Sequence, residues 1–193
     1  SAIREAALRD AEALAEGGVH GIMMENFGDV PFFPGRVPAP VVAHVTAIGA
    51  EIRRSVDVPL GINVLRNDGQ SALAVAHAVG ADFIRVNVLS GARVTDQGIV
   101  QGIAHDLLRE RAQLGATNVK ILADVDVKHS APLAPRPLVK EFLARVSRGV
   151  RVFLLIRVTA ALLHVNACAH RSTVRAGGRN PAACAGTRPD GPA

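Results

Sequence analysis

Ionisable and apolar side chains alternate along residues 119–128, whose sequence is VKILADVDVK. In an extended strand, successive side chains point to opposite faces, so Asp124, Asp126 and Lys128 would share one face. Two carboxylates beside an ammonium group could act as catalytic acid and base at a carbon next to a carbonyl, with Lys128 as electrophile or Schiff-base former. The same carboxylates could instead neutralise Lys128 and Arg85 in a structural ion network, because unpaired buried charge is costly.

Three earlier apolar segments, at residues 19–24, 58–65 and 82–89, also carry polar residues at or near their carboxyl ends. We expect Glu25 to act as a second catalytic acid or base. The polar residues expected to bind and orient the substrate at the other two segments are Asn63, Arg66, Asn67 and Asn87. The carboxyl ends of the strands meet at one mouth in a (β/α)8 barrel, whereas a doubly wound sheet concentrates its ligand contacts near a switch point. Four such segments in succession therefore favour the barrel.

Helical periodicity separates the strand-like segments. The predicted helices cover residues 3–16, 40–55, 70–79 and 99–114, and the predicted strands cover residues 19–24, 58–65, 82–89 and 119–128. Parallel strands need an intervening crossover, which is usually a helix, so this alternation predicts an α/β fold with a parallel sheet. Together with the polar strand ends, it predicts a partial (β/α)8 TIM barrel over residues 1–140.

Two loops have alternative interpretations. Residues 95–98, with the sequence TDQG, could cap the following helix through Thr95 or Asp96. Alternatively, Asp96 and Gln97 lie on a mobile loop that binds substrate and presents backbone N–H groups to an anion. His129 could be a turn residue with satisfied hydrogen bonds or a substrate-binding residue.

The charge distribution argues against a nucleic-acid partner. The chain has a formal net charge of +5, but residues 1–150 hold sixteen basic and sixteen acidic residues. The excess therefore lies in residues 151–193, which hold six Arg and one Asp, and we expect no nucleic-acid binding. Both cysteines, Cys168 and Cys184, also lie there and predict neither a disulfide framework nor a metal site. Charged residues interrupt the apolar stretch at 150–169, so no transmembrane segment is expected.

The segments with polar ends resemble the BtpA family, also called the BtpA/SgcQ family. The matching stretches are GVHGIMMENFGDVPF (18–32), VPLGINVLRND (58–68), GADFIRVNVLSGARVTDQGIVQG (80–102) and VKILADVDVKHSAPLA (119–134). The resemblance covers about residues 1–140 and implies a TIM barrel of the phosphate-binding type. It associates the chain with photosystem I biogenesis and with sugar-phosphate functions, and it brings no defined reaction. The family-typical positions are Glu25, Asn26, Asp29, Asn63, Arg66, Asn67, Asp68, Asn87, Asp96, Gln97, Asp124, Lys128 and His129.

The chain departs from the family pattern at both ends. Family members have a strand before the helix at residue 3, and they continue through further strands after about residue 138. Residues 141–193 are instead an atypical basic tail, rich in Ala, Arg, Gly and Pro. That composition is what an out-of-frame reading of GC-rich coding sequence would give, so a frameshift within residues 140–155 or a disordered segment is expected. A genuine lineage-specific basic tail is the alternative. A barrel without its first and last strands has unpaired edges, so we expect this polypeptide alone to have little stability and little activity.

For the intact protein we expect a cytoplasmic lyase, isomerase or epimerase that acts on a small phosphorylated sugar-like substrate. The alternative is a non-enzymatic assembly or stability factor for photosystem I, and this rests on the family association alone. No cofactor is assigned, although the carboxylates and His129 leave a divalent metal open, with a spacing that is not diagnostic. The sequence also leaves open a homo-oligomer.

Overall fold

The computed structural model describes residues 2–134, 137, 139–140 and 162–164. Among these residues there are four α-helices, α1 (Ala2–Glu16), α2 (Ala39–Ser55), α3 (Gly69–Val79) and α4 (Ala104–Gln113). The same residues form eight short strands, β1 (Ile22–Glu25), β2 (Leu60–Asn63), β3 (Phe83–Val86), β4 (Ala92–Thr95), β5 (Gly98–Gln101), β6 (Lys120–Ala123), β7 (Ser130–Pro132) and β8 (Leu162–His164). Apart from β8, the predicted tail at 141–193 and the predicted boundary beside residue 140 lie outside the described residues.

Five strands form one parallel sheet in the order β6-β3-β2-β1-β8. The first four lie side by side in the order in which the chain makes them, and their register pairs Glu25 with Asn63. The prediction of an α/β fold with a parallel sheet is confirmed. A sheet that adds successive strands on one side without reversing direction is consistent with a partial α/β barrel. The edge of β1 is not open as expected, because β8 pairs with it.

The helices cover one face of this sheet. The strand side chains on that face are buried in one apolar core with the helices, and they are Ile22, Met24, Leu60, Ile62, Ile84, Val86, Ile121 and Ala123. Burial of each large apolar side chain contributes about 1.5–3 kcal/mol. Because side chains alternate along a strand, the residues between these positions point to the other face of the sheet. Glu25, Asn63 and Arg85 are therefore directed away from the helices.

A second, antiparallel sheet of strand order β5-β4-β7 follows the carboxyl end of β3 and is here called the small sheet. The predicted helix at residues 99–114 is wrong over its first residues, because Gly98–Gln101 is strand β5 and the helix α4 begins at Ala104. Thr95 is not a helix cap, since its hydroxyl accepts a hydrogen bond from the Gln97 N–H (3.1 Å) and donates to the Gly98 carbonyl (3.1 Å). These bonds close the turn between β4 and β5, where Gly98 adopts a φ of 94°.

The predicted strand at residues 119–128 is also shorter in the structure, because β6 ends at Ala123. Past Asp124 the chain leaves β3 and reaches β7, which pairs with β4 of the small sheet. His129 has a φ of 56° in the turn between them. The alternation of faces predicted for Asp124, Asp126 and Lys128 therefore does not continue beyond the first of these residues.

Replacing Asp68 with alanine is expected to lower the free energy of unfolding by about 1–2 kcal/mol. Asp68 caps α3, because its carboxylate accepts a hydrogen bond from the Ser71 N–H (3.0 Å), and it also accepts one from the Val37 N–H (2.9 Å). Urea unfolding measures the loss, with Asp57→Ala at an exposed position as the matched control. Equal stability of the two variants would contradict the assigned cap.

Candidate active site

Five polar side chains meet at the carboxyl end of the parallel sheet, on the face away from the helices. They come from four adjacent strands or the residues directly after them, and they are Glu25, Asn63, Arg85, Asn87 and Asp124. All except Arg85 are at most 3% exposed. We call these five residues the ionic cluster. The sequence predicted four of them as site residues, and the fold brings those four together.

Asp124 is held by three hydrogen bonds within the cluster. Arg85 donates two parallel ones, from Nε to Oδ1 at 2.9 Å and from Nη2 to Oδ2 at 2.8 Å. Asn87 donates a third from Nδ2 to Oδ2 at 2.8 Å. A two-pronged guanidinium–carboxylate contact fixes the orientation of both groups. Asp124 therefore positions Arg85, as the structural interpretation of the sequence anticipated.

Glu25 completes the cluster on the side of β1 and β2. Its Oε2 accepts a hydrogen bond from Asn63 Nδ2 at 2.8 Å. Arg85 Nη1 lies 3.6 Å from the same oxygen, which is an ion pair but longer than a hydrogen bond. One edge of the guanidinium is thus committed to Asp124, while another edge faces Glu25.

The cluster places two carboxylates against one guanidinium. Burial by itself lowers the pKa of Arg85, but the hydrogen bond and charge of Asp124, together with the charge of Glu25, outweigh it and raise that pKa above its ordinary value. Arg85 therefore stays cationic. Such a site suits proton transfer by a carboxylate beside a fixed positive group that can stabilise an oxyanion.

One buried acceptor of the cluster has no hydrogen-bond partner among the described residues, namely Asn87 Oδ1. The amide orientation follows from chemistry, because a carboxylate only accepts hydrogen bonds and Asp124 must therefore face the Nδ2 group. A buried acceptor without a partner costs about 1–3 kcal/mol. The cluster thus offers an acceptor that a ligand could use.

Three cationic or titratable residues lie on the loops after β2 and β6. Arg66 donates from Nη2 to the backbone carbonyl of Lys128 at 2.9 Å, which joins the two loops. The side chains of Lys128 and His129 are exposed. We call Arg66, Lys128 and His129 the rim. Arg66 and Lys128 bring cationic groups to the rim, whereas the ionic cluster contains two carboxylates.

Asp126 lies apart from the ionic cluster. Its carboxylate accepts a hydrogen bond from Arg93 of β4 at 2.5 Å, and its side chain is 62% exposed whereas that of Arg93 is 7% exposed. Arg93 Nε also donates to the Ser130 hydroxyl at 2.7 Å. Arg93 therefore joins the small sheet to the loop after β6. The sequence did not reveal this role, because residue 93 lies between a predicted strand and a predicted helix, in what would be a loop.

Other predicted substrate-binding residues make contacts within the fold. Asn67 accepts from the Val88 N–H (2.8 Å) and donates to the carbonyls of Val88 (3.0 Å) and Gln101 (3.2 Å). Asp96 and Gln97 lie at the turn between β4 and β5, where Gln97 Nε2 donates to Asp96 Oδ2 at 2.5 Å. The structure therefore does not bring Asn67, Asp96 or Gln97 into the ionic cluster.

The donor set of the cluster is a poor match for a divalent metal. Across the described part of the chain, no group of three His, Cys, Asp or Glu side chains is placed to hold a metal ion. Arg85 also contacts both carboxylates, so a second cation between them would face a fixed positive charge. We derive no step through a metal. Within the same described ranges, no helix combines the length and hydropathy that a bilayer-spanning segment requires.

Fold and site together define an α/β protein that carries a buried ionic cluster at the carboxyl end of a parallel sheet. A model of the BtpA family matches residues 1–168, and the chain belongs to that family. The resemblance seen in the sequence is confirmed. The match extends past residue 140, which is the predicted end of the barrel domain.

The chain is also similar to individual relatives from different organisms. The chain is 51% identical over 150 residues to the Photosystem I biogenesis protein BtpA of Synechocystis sp., covering 78% of this chain and 52% of that protein. It is 51% identical over 146 residues to the uncharacterized protein TK2179 of Thermococcus kodakarensis, covering 76% and 54%. An uncharacterized mitochondrial protein of Caenorhabditis elegans is 34% identical over 136 residues, covering 68% and 49%. The chain spans about half the length of these curated relatives. No solved structure matches it.

Proposed function

We propose that this chain carries the acid–base groups of an enzyme of the lyase, isomerase or epimerase class that acts on a small phosphorylated sugar-like substrate. The observation that carries the proposal is the ionic cluster, in which Glu25, Arg85 and Asp124 meet in a buried position at the ends of adjacent parallel strands. In (β/α)8 barrels this end of the strands holds the active site. We infer that the full-length relatives close this sheet into such a barrel.

The proposed chemistry assigns different roles to the two carboxylates. Asp124 receives two hydrogen bonds from Arg85 and one from Asn87, so it serves to position the guanidinium. Glu25 accepts the proton from a carbon next to the substrate carbonyl, the electron pair of the broken C–H bond forms a C=C bond, and the π pair of the C=O bond moves to the carbonyl oxygen. The Nη1 edge of Arg85 stabilises that oxyanion. Return of the proton to the neighbouring carbon, with transfer of the hydroxyl proton to the former carbonyl oxygen, completes an isomerisation. Return to the opposite face of the same carbon completes an epimerisation.

The phosphate of the substrate is assigned to the rim. A phosphate group would be repelled by the carboxylates of the ionic cluster, whereas Arg66 and Lys128 offer cationic groups on the loops above it, beside His129. Lys128 thus binds phosphate in this proposal and does not form a Schiff base. Carboxylates in the cluster and cations at the rim would orient a molecule that has a hydroxylated end and an anionic end.

Binding of an enediolate mimic tests the proposal. Because the chain spans about half the length of its relatives, affinity is a better readout than turnover. We expect the hydroxamate of phosphoglycolate to bind the full chain about 100-fold more tightly than glycolaldehyde phosphate, since enzymes bind analogues of the transition state more tightly than substrates. Titration calorimetry measures both affinities.

The variant Glu25→Gln should remove most of that preference, and Glu12→Gln on the exposed side of α1 should keep it. The proposal fails if neither phosphate compound binds the full chain. It also fails if the hydroxamate has no advantage over glycolaldehyde phosphate, or if Glu25→Gln retains the full advantage.

The second candidate function is assembly of photosystem I, and it rests on the name of the relative from Synechocystis sp.. A factor of this kind would associate with subunits of that complex or with the membrane that contains them. Co-fractionation of the full chain with photosystem I subunits, together with no response to phosphate compounds, would favour this candidate over the enzyme.

A further inference from the structure

The buried acceptor in the ionic cluster determines which part of a substrate can enter it. Asn87 is 3% exposed, and its Oδ1 has no hydrogen-bond partner among the described residues. Its Nδ2 donates to Asp124 at 2.8 Å, and this contact fixes the direction of the amide. The ligand that approaches Oδ1 must therefore bring a hydrogen-bond donor.

Three kinds of ligand group could approach this position, namely a phosphate, a divalent cation and a neutral hydroxyl. A fully ionised phosphate brings negative charge and no donor, so the neighbouring Asp124 carboxylate disfavours it at this position. A divalent cation would lie next to Arg85, which already contacts Asp124 at 2.8 Å and Glu25 at 3.6 Å. A neutral hydroxyl group can donate to Oδ1 without a charge conflict.

We propose that Asn87 Oδ1 accepts a hydrogen bond from a hydroxyl group of the substrate and makes the site selective for polyols that carry a hydroxyl at that position. This inference rests on the proposed function for the phosphate end of the substrate. The inference extends the proposed function by fixing the direction in which the substrate binds, with its hydroxylated end towards the sheet and its phosphate at the rim. Asn87 is thus a specificity-determining residue.

Deleting one substrate hydroxyl at a time tests this contact. The probes are ribose 5-phosphate and its 2-deoxy and 3-deoxy forms, titrated into the full chain. We expect one deletion to weaken binding to the wild-type chain at least tenfold, because it leaves a buried acceptor without a donor. The same deletion should change the affinity less than about twofold in Asn87→Ala and in Asn87→Ser.

Asn87→Ser provides a second variant, in case the alanine variant fails to fold, because it keeps a polar group at this position but ends short of the position of Oδ1. Asn118→Ala, at an exposed position before β6, is the matched control and should keep the wild-type penalty. A cooperative thermal transition for each variant establishes that it is folded. If every deletion costs the same in wild type and in the Asn87 variants, the inference is overturned.

Free ribitol and inorganic phosphate separate this inference from the proposed function. If ribitol binds in a manner that depends on Asn87 while sugar phosphates bind no better, the hydroxyl contact stands and the phosphate assignment fails. If sugar phosphates bind and the effects of the hydroxyl deletions are independent of Asn87, the phosphate assignment stands and the hydroxyl contact fails. If none of these probes binds the full chain, both are overturned.

Discussion

Asp124→Asn is expected to lower the free energy of unfolding by about 3 kcal/mol, because it leaves the buried guanidinium of Arg85 without its main partner. The two side chains are 14% and 4% exposed, so water cannot replace the lost contact. Glu25 lies 3.6 Å from Arg85 and compensates only in part. Urea unfolding followed by circular dichroism measures the loss, and we also expect the variant to bind the hydroxamate of phosphoglycolate at least tenfold more weakly.

Asp106→Asn provides the matched control for this prediction. Asp106 pairs with His105 on the surface of α4, where the two side chains are 56% and 67% exposed. Exposed ion pairs contribute about 0–1 kcal/mol, so this variant should unfold close to the wild-type midpoint. A loss of stability in Asp124→Asn no larger than in Asp106→Asn would show that the ionic cluster does not hold the carboxyl end of the sheet.

Gly102→Ala is expected to lower the free energy of unfolding by about 2–3 kcal/mol. A Cβ at residue 102 would lie 2.5 Å from the Cα of Ser90 and 2.8 Å from the carbonyl oxygen of Leu89. Both are backbone atoms, which cannot rotate away as the end of a side chain can. The hairpin of β4 and β5 would have to move, and the 2.7 Å hydrogen bond from the Gly102 N–H to the Gly91 carbonyl would lengthen.

Gly35→Ala is the control for the second prediction, since a Cβ at residue 35 meets nothing within 4 Å. It should leave stability unchanged or raise it slightly, because alanine restricts the unfolded chain. Hydrogen exchange locates the effect, and we expect faster exchange at β4 and β5 in Gly102→Ala with little change at β1 and β2. Equal hydrogen-exchange protection of β4 and β5 in Gly102→Ala and Gly35→Ala would contradict the close approach of Gly102 to Ser90.

The parallel α/β architecture was predictable because its causes are local in the chain. Apolar segments with polar carboxyl ends mark the strands, and helical periodicity marks the crossovers between them. Helix α3 illustrates this, since Asp68 caps its first turn and Gly80 ends it with a φ of 71°. The convergence of Glu25, Asn63 and Asn87 followed from the same pattern, because parallel strands carry their carboxyl ends to one edge.

The small sheet was not predictable from the same signals. Residues 98–101 resemble the start of a helix when read with residues 104–113, and only the pairing of β5 with β4 stabilises the extended form. Likewise, β4 finds a partner in β7, 35 or more residues further along the chain. Such pairing between distant segments overrides local propensity, because each strand gains its hydrogen bonds from the other.

Asp124 and Asp126 have similar sequence surroundings but different partners in the folded protein. By itself the sequence placed both carboxylates on one face of a strand predicted at residues 119–128, and it offered a basic partner such as Arg85 to neutralise them. Only the tertiary structure decided that Asp124 pairs with Arg85 inside the cluster while Asp126 pairs with Arg93 at the small sheet. The physical reason is that β6 ends at Ala123, after which the direction of each side chain depends on the partner strand and no longer on strand alternation.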